Sequence, residues 1–169
     1  SLDPFASPHN LDRQLHSFLG EASSSLCDWL AESGSQGPLP DSFDLPEVPP
    51  GKEGVPSKEL LKELQLLMNG SFRPSHPGAL AHLDPPPLSA SIVGELICAG
   101  LNNNLLAEEL SPSLSSLERK LCKWFCEKLG LSTLSGGVAA SGGSISNLMA
   151  LVMARNIAGL ESDPSAVFF

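Results

Sequence analysis

The stretch GGVAASGGSISNLMALVMARN, residues 136–156, constrains the fold more than any other part of this sequence. It begins with a short strand-like run of small residues at 138–140. After a serine-glycine turn it continues into a predicted helix at 144–158 that is apolar on nearly all sides. A helix without a polar face has to be buried. With a second strand predicted at 166–169, the order strand, turn, helix, strand describes a βαβ unit, which predicts an α/β fold with a mostly parallel sheet.

The turn Ser141-Gly142-Gly143-Ser144 separates the first predicted strand from the helix. The first N–H groups of a helix lack helical partners and the helix dipole is positive there, so an anion such as phosphate can bind. The hydroxyls of Ser141 and Ser144 can add two donors. The alternative is a tight turn in which glycine only lets helix and sheet pack closely. The turn matches neither the GxGxxG fingerprint nor a phosphate-binding loop with its lysine, so by itself it leaves both interpretations open.

The rest of the chain is predicted to be helical, with interruptions rich in proline and glycine. Helices are predicted at 11–31, 58–69, 92–106 and 114–129. Ser57 is the expected N-cap of the second helix, and Ser115 with Glu118 matches a capping box after Pro112. The composition divides the chain into four parts: an N-terminal helix at 1–31, a Pro/Gly-rich arm or linker at 32–57, a helical region at 58–130 and the start of a larger domain at 131–169.

Composition and charge exclude several classes of function. The net charge of −9 argues against a nucleic-acid surface and against an anchor on anionic membranes, since both need clustered Lys and Arg. No apolar run approaches the roughly 18–20 residues that span a bilayer, and the N-terminus has no signal-peptide pattern, so we expect a soluble cytoplasmic protein. Cys122 and Cys126 are one helical turn apart without nearby histidines. They are interpreted as small core residues, and no metal site is expected.

For several other side chains we interpret the sequence as indicating a structural role and not a chemical one. His76 beside Pro77 is interpreted as a turn residue, with a place in a pocket as the alternative. The amides at 102–104 are expected to cap or bridge helices through hydrogen bonds. Trp29 and Trp124 are interpreted as core or interface anchors.

Three sequence blocks follow one another from His76 onward: HPGALAHLDPPPLSASIVGEL, LNNNLLAEELSPSLSSLERKLCKWFCEKLGL and GGVAASGGSISNLMALVMAR. In order and spacing they resemble the His-Pro segment, the SP…LE…W…LG block and the SGGS-x-x-N-L-x-A-L-x-x-A-R segment of the group II pyridoxal-phosphate-dependent decarboxylases. This family includes the glutamate, aromatic-amino-acid, cysteine-sulfinate and 2,4-diaminobutyrate enzymes. The resemblance covers residues 76–169, and the stretch AHLDPPPL is closer to the diaminobutyrate branch.

The resemblance implies a fold, a cofactor and an assembly. The fold would be the N-terminal part of an aspartate-aminotransferase-like (fold type I) enzyme, in which helices precede the first βαβ unit of the large-domain sheet. The enzymes of the family are tight homodimers, so residues 1–31 are expected to pack across the two-fold axis. The cofactor would be pyridoxal 5'-phosphate and the substrate an amino acid. The residues carried over for the cofactor phosphate are Gly143 and Ser144, with Ser141 and Gly142 beside them; those for the substrate pocket are His82, Leu83, Asp84 and, reaching into a neighbouring subunit's pocket, Leu106.

The family's catalytic groups have no counterpart in these 169 residues. The cofactor-stacking His, the Asp at the pyridine nitrogen and the Schiff-base Lys would all lie downstream of Phe169. The lysines present, at 52, 58, 62, 120, 123 and 128, are interpreted as solvated charges. We therefore expect the N-terminal portion of an amino-acid decarboxylase, without a catalytic residue of its own and completed by a C-terminal portion from the same gene or a separate chain. The alternative is a non-catalytic binding or scaffold module derived from the family.

Overall fold

The computed structural model describes residues 2–41, 44–45, 54–80, 83–163 and 165. In this part of the chain the regular elements are all helical. The α-helices are α1 (Arg13–Ala31), α2 (Ser57–Asn69), α3 (Ser89–Leu101), α4 (Pro112–Lys128) and α5 (Gly143–Ile157), with single 3-10 turns at Glu32–Gly34 and Glu108–Leu110. The chain divides into two compact units, Ser1–Leu96 and Ile97–Phe169, whereas the four-part division by composition stays a prediction.

The first unit is organised around the pairing of α1 with α2. Asp12 is the N-cap of α1, because its Oδ1 accepts a hydrogen bond from the Leu15 N–H at 2.9 Å. The Ser25 hydroxyl of α1 donates to Gln65 of α2. The helix α2 begins at Ser57 itself, and its N-cap, Pro56, makes no side-chain capping bond. The predicted N-cap role of Ser57 is therefore wrong by one position, while the helix itself is found.

The helix α3 ends five residues before its predicted end at 106. Asn102 has φ 44°, in the left-handed region, and its N–H still donates to the Cys98 oxygen. The Asn103 side chain donates to the Leu101 oxygen at 2.8 Å. The Asn104 side chain accepts from the Leu106 N–H at 3.1 Å. The side-chain amide hydrogen bonds expected for this asparagine run are therefore present, and they lie where the helix ends.

The second unit contains α4, whose start differs from the predicted capping box. Pro112 occupies the first helical turn, so Ser115 lies inside the helix, where its N–H donates to the Ser111 oxygen. Ser115 is buried within the helix and is not its N-cap. The Glu118 carboxylate accepts a hydrogen bond from the Ala139 N–H instead. The capping-box prediction is wrong because the helix begins three residues before the predicted cap.

The βαβ unit is not confirmed. Residues 138–140 have no strand assignment, and the predicted strand at 166–169 lies outside the described residues. A strand requires a ladder of backbone partners, whereas the Ala139 N–H binds a carboxylate. The predicted helix at 144–158 is present as α5, but the burial expected of it is absent: Leu148 and Met153 are more than half exposed.

No helix in the described ranges combines the length and apolarity that crossing a membrane requires.

Candidate functional site

The serine-glycine turn leads directly into α5. Gly142 is extended, and its oxygen accepts both the N–H and the hydroxyl of Ser146, at 3.0 and 3.1 Å. The helix therefore begins at Gly143, and by helix geometry the N–H groups of its first residues have no intrahelical acceptor. These N–H groups and the positive end of the dipole form a potential anion site next to Ser141 and Ser144.

The two glycines of this turn are not required by packing within the described chain. A Cβ atom added to Gly142 or Gly143 would meet nothing within 4 Å. Neither residue has a left-handed φ that would favour glycine. No contact of these glycines within the described chain supports the interpretation that the turn serves only close packing. The space around the two glycines is open in the described chain.

The segment before the turn lies along α4. The Ala139 N–H donates to Glu118 Oε1 at 2.8 Å, and the Cys126 thiol lies 3.6 Å from the Gly136 oxygen. Between these contacts, a Cβ atom at Gly137 would come within 3.4 Å of the Cys122 Cβ. The interpretation of Cys126 as a small core residue is confirmed by its burial, and Cys122 is half-buried.

The first unit contains an open cavity of about 600 Å³. It is lined by Pro38, Leu39, Phe72, Gly78, Ala79, Leu80 and Asp84. Among these described lining residues Asp84 is the one with a charged side chain. Of the predicted pocket residues, Asp84 lies at this cavity.

Neither Leu83 nor Leu106 is among the described residues that line this cavity. His82 lies outside the described residues. The Leu83 side chain is 98% exposed, and Leu106, which belongs to the second unit, is 89% exposed. Their roles stay predictions.

One wall of the cavity is a tight turn built on His76. The His76 Nδ1 accepts from the Gly78 N–H at 2.9 Å, and the His76 oxygen accepts from the Ala79 N–H at 2.9 Å. A Cβ atom on Gly78 would lie 3.1 Å from the His76 ring. The preferred interpretation of His76 as a turn residue is confirmed, and this turn presents Gly78 and Ala79 to the cavity.

Arg73 connects the same loop to the end of α1. The sequence patterns did not predict this contact. Its guanidinium donates to the Trp29 oxygen at 2.7 Å and lies 4.6 Å from the centroid of the Trp29 ring. Its N–H donates to the Pro38 oxygen at 2.8 Å. Arg73 carries the single formal charge in the irregular stretch 70–83. A charged side chain isolated in this way is the sequence feature that could have indicated a structural contact.

The aromatic pair of α4, Trp124 and Phe125, is not buried in the described part of the chain. Trp124 and Phe125 meet edge to face at 4.9 Å, and Lys128 lies 5.8 Å from the Trp124 ring. Trp124 is about half exposed, whereas Trp29 is buried. The core role is therefore confirmed for Trp29.

Comparison with known proteins identifies relatives of most of this chain. L-2,4-diaminobutyrate decarboxylase of Acinetobacter baumannii is 31% identical over 143 residues, which cover 83% of this chain and 28% of that protein. A glutamate decarboxylase-like protein of Gibberella zeae is 31% identical over 111 residues, 65% of this chain and 21% of that protein. The chain thus spans less than a third of the length of these two relatives.

Solved structures establish the fold. The glutamate decarboxylase domain of a protein of Vibrio parahaemolyticus, described as diaminobutyrate-pyruvate transaminase and L-2,4-diaminobutyrate decarboxylase, superposes with a TM-score of 0.82 at 23% identity. Mouse CSAD superposes with a TM-score of 0.80 at 19% identity. Each match covers 94% of this chain, and 36% and 34% of the respective structures. The helical arrangement described above is consistent with the N-terminal region of fold type I.

The family itself follows from the sequence match. The model of the family described as pyridoxal-dependent decarboxylase conserved domain matches residues 52–161, well over half of the chain. This match contains the turn, the α4 contacts and Asp84. The chain belongs to the group II pyridoxal-dependent decarboxylases, a family whose cofactor is pyridoxal phosphate.

Proposed function

We propose that this chain forms the N-terminal part of a pyridoxal-phosphate-dependent amino-acid α-decarboxylase. In this proposal it supplies the phosphate end of the cofactor site and a wall of the substrate pocket. The observation that supports the proposal is the turn at 141–144, which leads into α5 and where a Cβ atom added to Gly142 or Gly143 would meet nothing within 4 Å in the described chain.

The donor set of the turn suits a phosphate group. Gly143 has no side chain, and the N–H groups of Gly143 and Ser144 belong to the first turn of α5, where helix geometry leaves them without an intrahelical acceptor. The Ser141 and Ser144 hydroxyls can rotate toward a phosphate oxygen. Hydrogen bonds to a charged phosphate are stronger than neutral ones, and the helix dipole adds to them. When bound, pyridoxal phosphate supplies the electron sink that decarboxylation of an amino acid requires.

We propose that the cavity beside Asp84 receives the side chain of the substrate. Its apolar lining suits methylene groups, and the Asp84 carboxylate suits a cationic amine at the end of that side chain. An α,ω-diamino acid such as 2,4-diaminobutyrate has this pattern, and a relative that shares 31% identity carries that substrate in its name. In this proposal His82 and Leu83 belong to the same pocket, and Leu106 reaches into the pocket of a neighbouring subunit.

The remaining parts of the proposal concern assembly. The exposed apolar side chains of α3 and α5 require a covering surface, which supports association with further polypeptide carrying the catalytic lysine. We include in the proposal a homodimer of the completed unit and a cytoplasmic location.

Cofactor binding and carbon dioxide release by the complete protein test the proposal. Adding pyridoxal phosphate should produce the absorption band of bound cofactor, and 2,4-diaminobutyrate should then release carbon dioxide. A complete protein that binds no pyridoxal phosphate would contradict the proposal and favour the scaffold alternative.

A further inference from the structure

We propose that Glu118 is a positioning residue that holds the phosphate-binding turn in place. The proposal rests on the proposed function, because it takes the turn at 141–144 as the phosphate site. The evidence is the 2.8 Å hydrogen bond from the Ala139 N–H to Glu118 Oε1, which joins residues 21 positions apart. Glu118 acts through the backbone and does not touch the cofactor in this proposal.

The contact belongs to a row along one face of α4. Glu118, Cys122 and Cys126 follow at intervals of four residues, so they share a helix face. They contact Ala139, Gly137 and Gly136 respectively. The segment therefore runs antiparallel to α4, and Glu118 holds the end of it that enters the turn.

Anchoring Ala139 restricts the turn because so little chain separates them. Three Cα–Cα steps of about 3.8 Å lead from Ala139 to Gly142, the residue before α5. A turn that is already fixed loses less conformational freedom on binding a ligand, which raises the affinity. Losing the anchor should thus weaken phosphate binding without removing any donor.

Two conservative variants separate position from charge. Glu118→Gln keeps the length of the side chain and a carbonyl acceptor but removes the charge. Glu118→Asp keeps the charge but is one methylene shorter and cannot reach Ala139 in the same geometry. Glu127→Asp is the matched control, because Glu127 is exposed on α4 and nine residues further, on the opposite face.

Two measurements on the complete protein read the effect. The first is hydrogen exchange of the Ala139 amide without cofactor, which we expect to be roughly tenfold faster in Glu118→Asp and within about twofold of wild type in Glu118→Gln. The second is the dissociation constant for pyridoxal phosphate, which we expect to rise roughly tenfold in Glu118→Asp alone. The affinity for pyridoxal, which lacks the phosphate, should not change.

The outcomes distinguish this inference from the proposed function. Gly143→Val tests the turn directly: if its affinity for pyridoxal phosphate is unchanged, the turn is not the phosphate site and both proposals fail. If Gly143→Val weakens binding but Glu118→Asp does not, the positioning role alone is overturned. Tighter binding by Glu118→Gln, with Glu118→Asp like wild type, would show an effect of charge and would also overturn it. A change of equal size in Glu127→Asp would show a general effect on α4 and contradict the proposal.

Discussion

Arg73 and Trp29 are joined by two interactions, although 44 residues separate them. The guanidinium donates to the Trp29 oxygen at 2.7 Å and also lies over the indole ring at 4.6 Å. Both side chains are buried, with Arg73 7% and Trp29 8% exposed. Since carbonyls in the last turn of a helix lack helical donors and carry the negative end of the dipole, Arg73 satisfies and stabilises the end of α1.

Replacing Arg73 by lysine should destabilise the first unit. Lysine keeps the charge but loses the planar group that stacks on Trp29 while donating to its oxygen. We expect a loss of about 1–3 kcal/mol, measured as a shift of the urea midpoint of the complete protein. Arg13→Lys, at an exposed position of α1, should shift stability by less than about 0.5 kcal/mol. Equal midpoints for the two variants would show that the stacked geometry contributes nothing.

Gly143→Val should weaken binding of pyridoxal phosphate. The branched side chain would occupy the space in front of the turn, which is open in the structure. Loss of one or two charge-assisted hydrogen bonds, at roughly 1.5–3 kcal/mol each, would lower the affinity by one to a few orders of magnitude. A spectroscopic titration measures this affinity. Gly100→Val, also at a helical glycine with open space around it, is the control and should leave the titration unchanged.

Asp84→Asn should reduce the preference for a substrate with a distal amine. Asp84 lines a cavity whose other described lining residues are apolar or glycine, so its charge should favour 2,4-diaminobutyrate over glutamate. We expect the ratio of kcat/KM values for the two substrates to fall roughly tenfold. Asp28→Asn, at an exposed position of α1, serves as the charge-matched control. An unaltered ratio in Asp84→Asn would assign Asp84 a structural role only.

Local patterns in the sequence were sufficient to place the helices. Apolar spacing located α1, α2, α4 and α5 within a few residues. The end of α3 was missed because Leu105 and Leu106 continue the apolar run, whereas the left-handed Asn102 interrupts the backbone. Periodicity reports which side chains are apolar, and it does not report backbone conformation.

Contacts distant in sequence could not be predicted in this way. The turn at 141–144 and Asp84 were identified by the residue types and the family motif, and their roles stay predictions. Neither the Arg73–Trp29 contact nor the Glu118–Ala139 contact follows from any local spacing. Glu118 even matched a capping box, because the motif describes composition and cannot show where the helix begins.

The ion pair of Glu108 with Arg119 should be visible in an acid titration. Arg119 donates to both Glu108 oxygens, at 2.7 and 3.3 Å, and this hydrogen bonding, with the opposite charge, holds the pKa of Glu108 below its usual value. Because the folded-state pKa is lowered, the stabilisation is present above the unfolded-state pKa and is lost as the pH falls through the folded one. Carboxyl NMR should show a higher Glu108 pKa in Arg119→Gln. The same pKa in both proteins would mean that the pair is not formed in solution.

The isolated 169-residue polypeptide should not behave as a stable monomer. Among the described residues of the second unit, Cys126 is the single buried apolar side chain. On α5 alone, Ile145, Leu148, Leu151, Val152, Met153 and Ile157 are exposed. A soluble monomer tolerates a contiguous apolar patch of only a few hundred Å², so these side chains should drive self-association or leave α5 unfolded.

Size-exclusion chromatography combined with thermal melting measures this behaviour. We expect the isolated polypeptide to elute as aggregates or to melt without a cooperative transition. The complete protein is the control and should melt cooperatively as a defined oligomer. Apolar burial contributes about 25 cal/mol per Å², and no residue of α5 is fully buried in the described chain, so the main contribution that would keep this helix folded is small. A cooperative melt of a monomeric 169-residue polypeptide would show that the exposed face of α5 needs no covering surface.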